Sequence, residues 1–94
     1  MRLSMNRIYL VLALVFINLE SHIILKNSSP EIIWFLNYGR FQYSYRLMPG
    51  ESMTVKFKGG NLIVKDSAYT PLTESLKATD QSTYIFTDLG IIKQ

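Results

Sequence analysis

Two patterns divide the chain. From Ile8 to Ile17 every residue is apolar, whereas from His22 onward apolar and polar residues alternate in short runs broken by turn-forming residues. Alternation with a period of two places apolar side chains on one face of a β-strand. FQYSYRL (Phe41 to Leu47) shows it most clearly, and MTVKFK, NLIVKD, HIILKN and TYIFTDL follow the same rule. EIIWFLNY (Glu31 to Tyr38) is almost wholly apolar, so it reads as a strand covered on both faces.

The breaks between the runs are specific. Pro49-Gly50 suits the two central positions of a type II turn, one with a fixed φ and one with a positive φ. Gly59-Gly60 has the length of a primed hairpin turn joining MTVKFK to NLIVKD, which predicts Phe57 opposite Leu62 and Val55 opposite Val64. Gly39-Arg40 as an earlier hairpin loop would place Trp34 opposite Tyr45 and Leu36 opposite Tyr43. Phe41, Tyr43, Tyr45 and Leu47 then join Ile32, Trp34 and Leu36 in one aromatic core face. Between Asp66 and Ser82 the pattern weakens to a loop, a weak strand over Leu72 to Ala78 and a turn at Asp80-Gln81; GIIKQ adds a short edge pairing. No segment carries sustained helical spacing. The expected fold is all-β: a small antiparallel two-layer sandwich, or a small barrel, of six to seven strands.

The apolar run at the start has a different meaning. Arg2 and Arg7 precede it, and Asn18, Glu20 and Ser21 end it, the three-part layout of a secretory signal. At ten residues it falls short of the roughly 20 that span a bilayer. Cleavage after Ser21, with Leu19 two places before, divides the chain into a signal peptide (1–21) and one small β domain (22–94). The expected location is secreted, extracellular or periplasmic, with only transient membrane contact through the signal.

Composition narrows the chemistry. The exported part has no cysteine, which removes disulfides, thiol nucleophiles and thiolate metal sites. A domain of this size has a net stabilisation of only about 3–5 kcal/mol, so the aromatics must supply much of what holds it. Its eight cations and six acids leave a surplus of two positive charges, too few for a nucleic-acid footprint. His22, the only histidine, would become a mobile first residue with no nucleophile fixed beside it. Glu51, Asp66, Glu74, Asp80 and Asp88 sit mostly beside turn residues, where acids serve local hydrogen bonding. The expectation is a non-enzymatic protein without cofactor or metal.

Binding residues are the remaining candidates. Lys56, Lys58 and Lys65, joined by Arg46, could form a basic stripe for an anionic polysaccharide, lipid headgroups or an acidic protein surface. Tyr69 and Tyr84 lie outside the core stripe and are candidate exposed aromatics for stacking on sugars. Asn27, in NSS, matches the N-glycosylation acceptor pattern, with an unfavourable Pro30 after it. The succession IILKNSS…LMPGESMTVKF resembles the edges of many immunoglobulin-like and related sandwich modules. That resemblance implies the sandwich and no functional residue, since Trp34 has no cysteine pair to pack on. The expected role is a binding or interaction module for another extracellular protein or a glycan. Alternatives are a carbohydrate-binding module, an inhibitor of a secreted hydrolase presenting Asn37 to Arg40 or Leu47 to Ser52, or a subunit of an oligomeric surface assembly.

Overall fold

A computed structural model describes residues 20–94; the apolar run of the proposed leader lies outside the described residues. The described chain is all-β. Its strands are β1 (His22–Asn27), β2 (Ile33–Tyr38), β3 (Gln42–Leu47), β4 (Ser52–Lys56), β5 (Asn61–Lys65), β6 (Leu76–Lys77), β7 (Thr83–Thr87) and β8 (Gly90–Lys93). They form two four-stranded sheets, in the orders β4-β1-β7-β8 and β3-β2-β5-β6. Two sheets sharing one core make a small β-sandwich, and eight strands replace the six or seven expected. All neighbours are antiparallel except β1 and β7, which run parallel, so the expected purely antiparallel arrangement is corrected at that pair. A parallel pair needs a long connection, and here the whole second sheet lies between its members in sequence.

Alternation builds the core from both sheets. Ile23, Leu25, Val55, Tyr84 and Phe86 from the first sheet meet Ile33, Phe35, Leu47, Leu62 and Val64 from the second. Tyr84 and Phe35 are the largest fully buried side chains. Each such burial stabilises the fold by roughly 1.5–3 kcal/mol, which a chain without disulfides needs.

Both expected hairpin details are revised. β2 and β3 do pair, but Tyr38 faces Gln42 across a three-residue connection, and Phe35, not Trp34, faces Tyr45. One residue of slip exchanges the faces of β2. Ile33, Phe35 and Asn37 turn inward, Trp34, Leu36 and Tyr38 turn outward, and Phe41 is left 59% exposed. Gly59-Gly60 joins no hairpin, because β4 pairs with β1 and β5 with β2. It carries the chain from one sheet to the other. The backbone there passes against Tyr38 and Gly39 so closely that a Cβ on Gly60 would overlap the Tyr38 carbonyl, while a Cβ on Gly59 would meet open space. Both glycines have positive φ, 87° at Gly59 and 93° at Gly60.

Asn27 ties two other sheet crossings together, from β1 to β2 and from β3 to β4. Its side-chain amide donates to the carbonyls of Glu31 (2.6 Å) and Leu47 (3.2 Å), and its Oδ1 accepts from the Ser29 N–H (3.0 Å) and hydroxyl (2.7 Å). Its backbone donates to Glu51 O (3.0 Å) and accepts from Gly50 N–H (2.8 Å). The expected Pro49-Gly50 turn closes beside it, with Glu51 N–H donating to Met48 O at 3.0 Å and Gly50 at φ 79°.

Tyr45 packs against the core, and burial pushes its phenol above the ordinary tyrosine value, with Tyr43 on the same face adding repulsion between the ionised forms. The folded state therefore holds the phenolic proton more tightly than the unfolded chain. Its stabilisation is complete below the ordinary tyrosine range and is lost as pH rises through the elevated value. Denaturant melts should show stability falling as pH rises above about 10, with a shallower fall in Tyr45→Phe; parallel slopes would contradict this. At the crossing, Gly59→Ala should cost about 1 kcal/mol and Gly60→Ala roughly 3 kcal/mol or more, since only the second adds overlap to φ strain. Equal melting shifts would remove the steric role assigned to Gly60.

Candidate functional site

The outward face of β2 is the chemically distinctive surface. Trp34 is flanked by Arg46 on β3 and Lys65 on β5, its two register partners, so an indole lies between two cations on one face. Leu36, two residues on, is only 3% exposed although it belongs to the outer side and not to the inter-sheet core. This outer face thus has a small apolar centre of its own, which agrees with the unbroken apolar run expected to be covered on both sides.

The loop after β5 supplies the cover. Asp66 Oδ1 accepts the N–H groups of Ala68 and Thr70, each at 2.9 Å, and Tyr69 N–H donates to Asp66 O at 2.9 Å. A tight loop of this kind is what Asp favours, because its carboxylate satisfies the backbone two residues ahead. The loop then rejoins the sheet through the Lys65–Pro71 bridge and Leu72 N–H to Val64 O at 2.8 Å. Tyr69, at φ 63°, occupies the left-handed region. For a residue with a Cβ this costs about 1–3 kcal/mol and persists only where its surroundings enforce it.

The strained backbone lays Tyr69 over the sheet. Its ring centroid is 5.8 Å from that of Trp34 with planes tilted by 35°, and Lys65 Nζ is 5.3 Å from the Tyr69 centroid. The Tyr69 hydroxyl reaches Ser44 Oγ at 3.4 Å, yet 45% of the residue remains exposed. Arg46 contacts only the Met48 sulfur, at 3.9 Å, and no carboxylate pairs with either cation among the described residues. One cation over an aromatic ring and a second across the strand from the indole, with no acid neutralising either among the described residues, suit a partner that carries negative charge.

The other candidate residues disperse. Arg46 and Lys65 converge on Trp34, but Lys56 lies on the first sheet opposite His22, and Lys58 lies past the end of β4 with its ammonium 6.0 Å from the Tyr43 ring. The expected four-cation stripe is therefore a pair plus two separate lysines. Tyr84 is corrected outright: it is fully buried, and its hydroxyl accepts the Thr79 N–H at 2.7 Å. Its position in TYIFTDL alternates with Ile85, and the strand turned the tyrosine inward. Asn27 is corrected likewise, because it is 1% exposed with every side-chain hydrogen-bonding group engaged, which leaves no room for a glycan. Of the two proposed wedge loops, the first is anchored by Asn37, whose amide donates to Gly59 O and Asn61 O at 3.1 Å each.

The acids serve local structure or stand apart. Glu51 accepts the Met48 N–H at 2.9 Å, Asp66 closes its own loop, and Asp80 accepts from Ser21 and His22. Asp88 lines a cleft of about 280 Å³ with Leu72 and Phe86, and a second of about 460 Å³ with Glu74 and Leu89. No group of three metal-ligating side chains forms among the described residues. His22 is part of β1 and held at both backbone groups, a correction to its expected mobility. Trp34 was missed as a surface residue because the loop length that sets its face could not be read from Gly39-Arg40 alone. Comparison with protein-family models, curated proteins and solved structures returns no match, so the reading of this surface rests on its own chemistry.

Proposed function

We propose that this chain is an exported, non-enzymatic, immunoglobulin-like sandwich that binds an extracellular macromolecule presenting anionic groups. In this reading residues 1–21 are a signal removed on export, and the contact surface is the outward face of the second sheet. One observation carries the proposal: Tyr69 is held in a left-handed backbone that sets its half-exposed ring on Trp34, whose cross-strand neighbours Arg46 and Lys65 have no acid partner among the described residues. A merely structural cover needs neither the strained backbone nor the open cations. The carboxylates that could have supported hydrolysis are instead spent on turns or lie apart, which favours binding over catalysis.

Binding of this kind should weaken with salt, because exposed charge pairs are screened beyond about 8 Å at physiological ionic strength. Protein from the medium of an exporting host should capture an acidic partner from its native extracellular fraction. The Arg46→Ala/Lys65→Ala double variant should bind that partner roughly tenfold to a hundredfold more weakly, for two lost charge-assisted contacts. Lys56→Ala, on the opposite sheet, should bind as the parent does. Equal capture by the double variant, with its fold intact by circular dichroism, would remove the surface from the proposal.

A further inference from the structure

The first strand begins on a carboxylate. Asp80 Oδ1 accepts the backbone N–H of His22 at 3.0 Å, and Oδ2 accepts the Ser21 hydroxyl at 3.1 Å. The turn that presents Asp80 includes a second strained residue, Gln81 at φ 57°, whose N–H donates to His22 O at 2.8 Å. Ser82 O accepts the Ile24 N–H at 3.0 Å and continues the attachment. A neutral peptide N–H needs only one acceptor, and any backbone carbonyl would serve. A carboxylate aimed at that nitrogen from a strained turn is matched to more charge than a peptide group carries.

We infer that Asp80 is the receptor for the α-ammonium of His22, created when the Ser21–His22 peptide bond is cut. The inference rests on the export reading above, and the cut is a hydrolysis by a signal peptidase. One water is consumed, the new carboxylate departs on Ser21, and the amine stays on His22 and takes up a proton. Glu20 and Ser21 are exposed and precede β1, so their removal takes nothing from the core. Loss of Ser21 also frees Oδ2, and the ammonium has three N–H donors where the peptide had one. Both carboxylate oxygens can then be engaged from one nitrogen. Two hydrogen bonds are given up, both at the exposed chain start: Phe57 N–H loses Ser21 O at 3.3 Å, and the His22 Nδ1 loses Glu20 O at 2.9 Å. Docked this way, the chain start closes β1 onto the turn before its parallel partner β7, where fraying would otherwise begin.

Two charged groups face the amine: the Asp80 carboxylate, in hydrogen-bond contact, and Lys56, the register partner of His22 on β4; the contact carboxylate outweighs the lysine, so the terminal amine should titrate above the ordinary range of about 7.7–8.0. With the folded value raised, the stabilisation is complete below that range and is lost as pH rises through the elevated value. Two measurements on protein secreted by an exporting host separate the parts of the inference. Intact mass should match His22–Gln94; a different first residue would overturn the cut at Ser21–His22 while leaving export standing, and a retained leader would overturn both. With that mass in hand, the pH dependence of α-amine acylation should give a midpoint about one pH unit above the ordinary range, returning to it in Asp80→Asn. A variant whose chain starts one residue earlier, at Ser21, should also show the ordinary value and covers the case in which Asp80→Asn fails to fold. The same midpoint in all forms would end the Asp80 assignment while leaving export standing.

Discussion

The buried amide of Asn27 is the interaction on which the sandwich depends. The chain changes sheets after β1 and again after β3, and both crossings converge on this one side chain. Its amide donates to Glu31 O in the first crossing and Leu47 O at the start of the second, while its carbonyl holds Ser29. An asparagine side chain has two donors and two acceptor sites, and here all four are used. Inside a protein such a fully satisfied group stabilises, whereas each orphaned partner costs about 1–3 kcal/mol. In a domain whose net stability is only about 3–5 kcal/mol, that is enough to decide whether the sheets stay together.

The same crossings determine the outer surface. Because β3 and β5 flank β2 in one sheet while β4 leaves for the other, Arg46 and Lys65 arrive on either side of Trp34 and Lys56 does not. The Asp66 loop then folds Tyr69 onto the indole, at the expense of a left-handed backbone. Strain is thus concentrated at two non-glycine residues, Tyr69 and Gln81, beside the two features assigned a role outside the core.

Much of this was legible in the sequence, and the misses share a cause. Alternation located β1, β3, β4, β5 and β7 and identified Val55, Leu62, Val64, Tyr45 and Leu47 as inward-facing, since a period of two is a local property. The Pro49-Gly50 and Asp80-Gln81 turns were equally local. Partner choice was not: Gly59-Gly60 has hairpin chemistry, yet close passage against Tyr38 and Gly39 makes it a crossing. Trp34 was assigned inward and Phe35 outward because one residue of loop length reverses a strand, and EIIWFLNY is apolar on both sides. Tyr69 was legible as an exposed aromatic lying outside the core stripe; Tyr84 was not, because burial of its hydroxyl depends on the Thr79 N–H being brought back to it across the Asp80-Gln81 turn. Asn27 matched an acceptor pattern by composition, while its real work is set by carbonyls as far away as Leu47.

Equilibrium urea unfolding of Asn27→Ala tests the central claim most directly. Leu47 O and the Ser29 N–H lose their Asn27 partner in that variant and Glu31 O keeps only the Ser29 hydroxyl, so stability should fall by about 2–4 kcal/mol, most of the margin of a domain this small. A midpoint within about 0.5 kcal/mol of the parent, the range of ordinary surface substitutions, would show that the sheets are held together by something else.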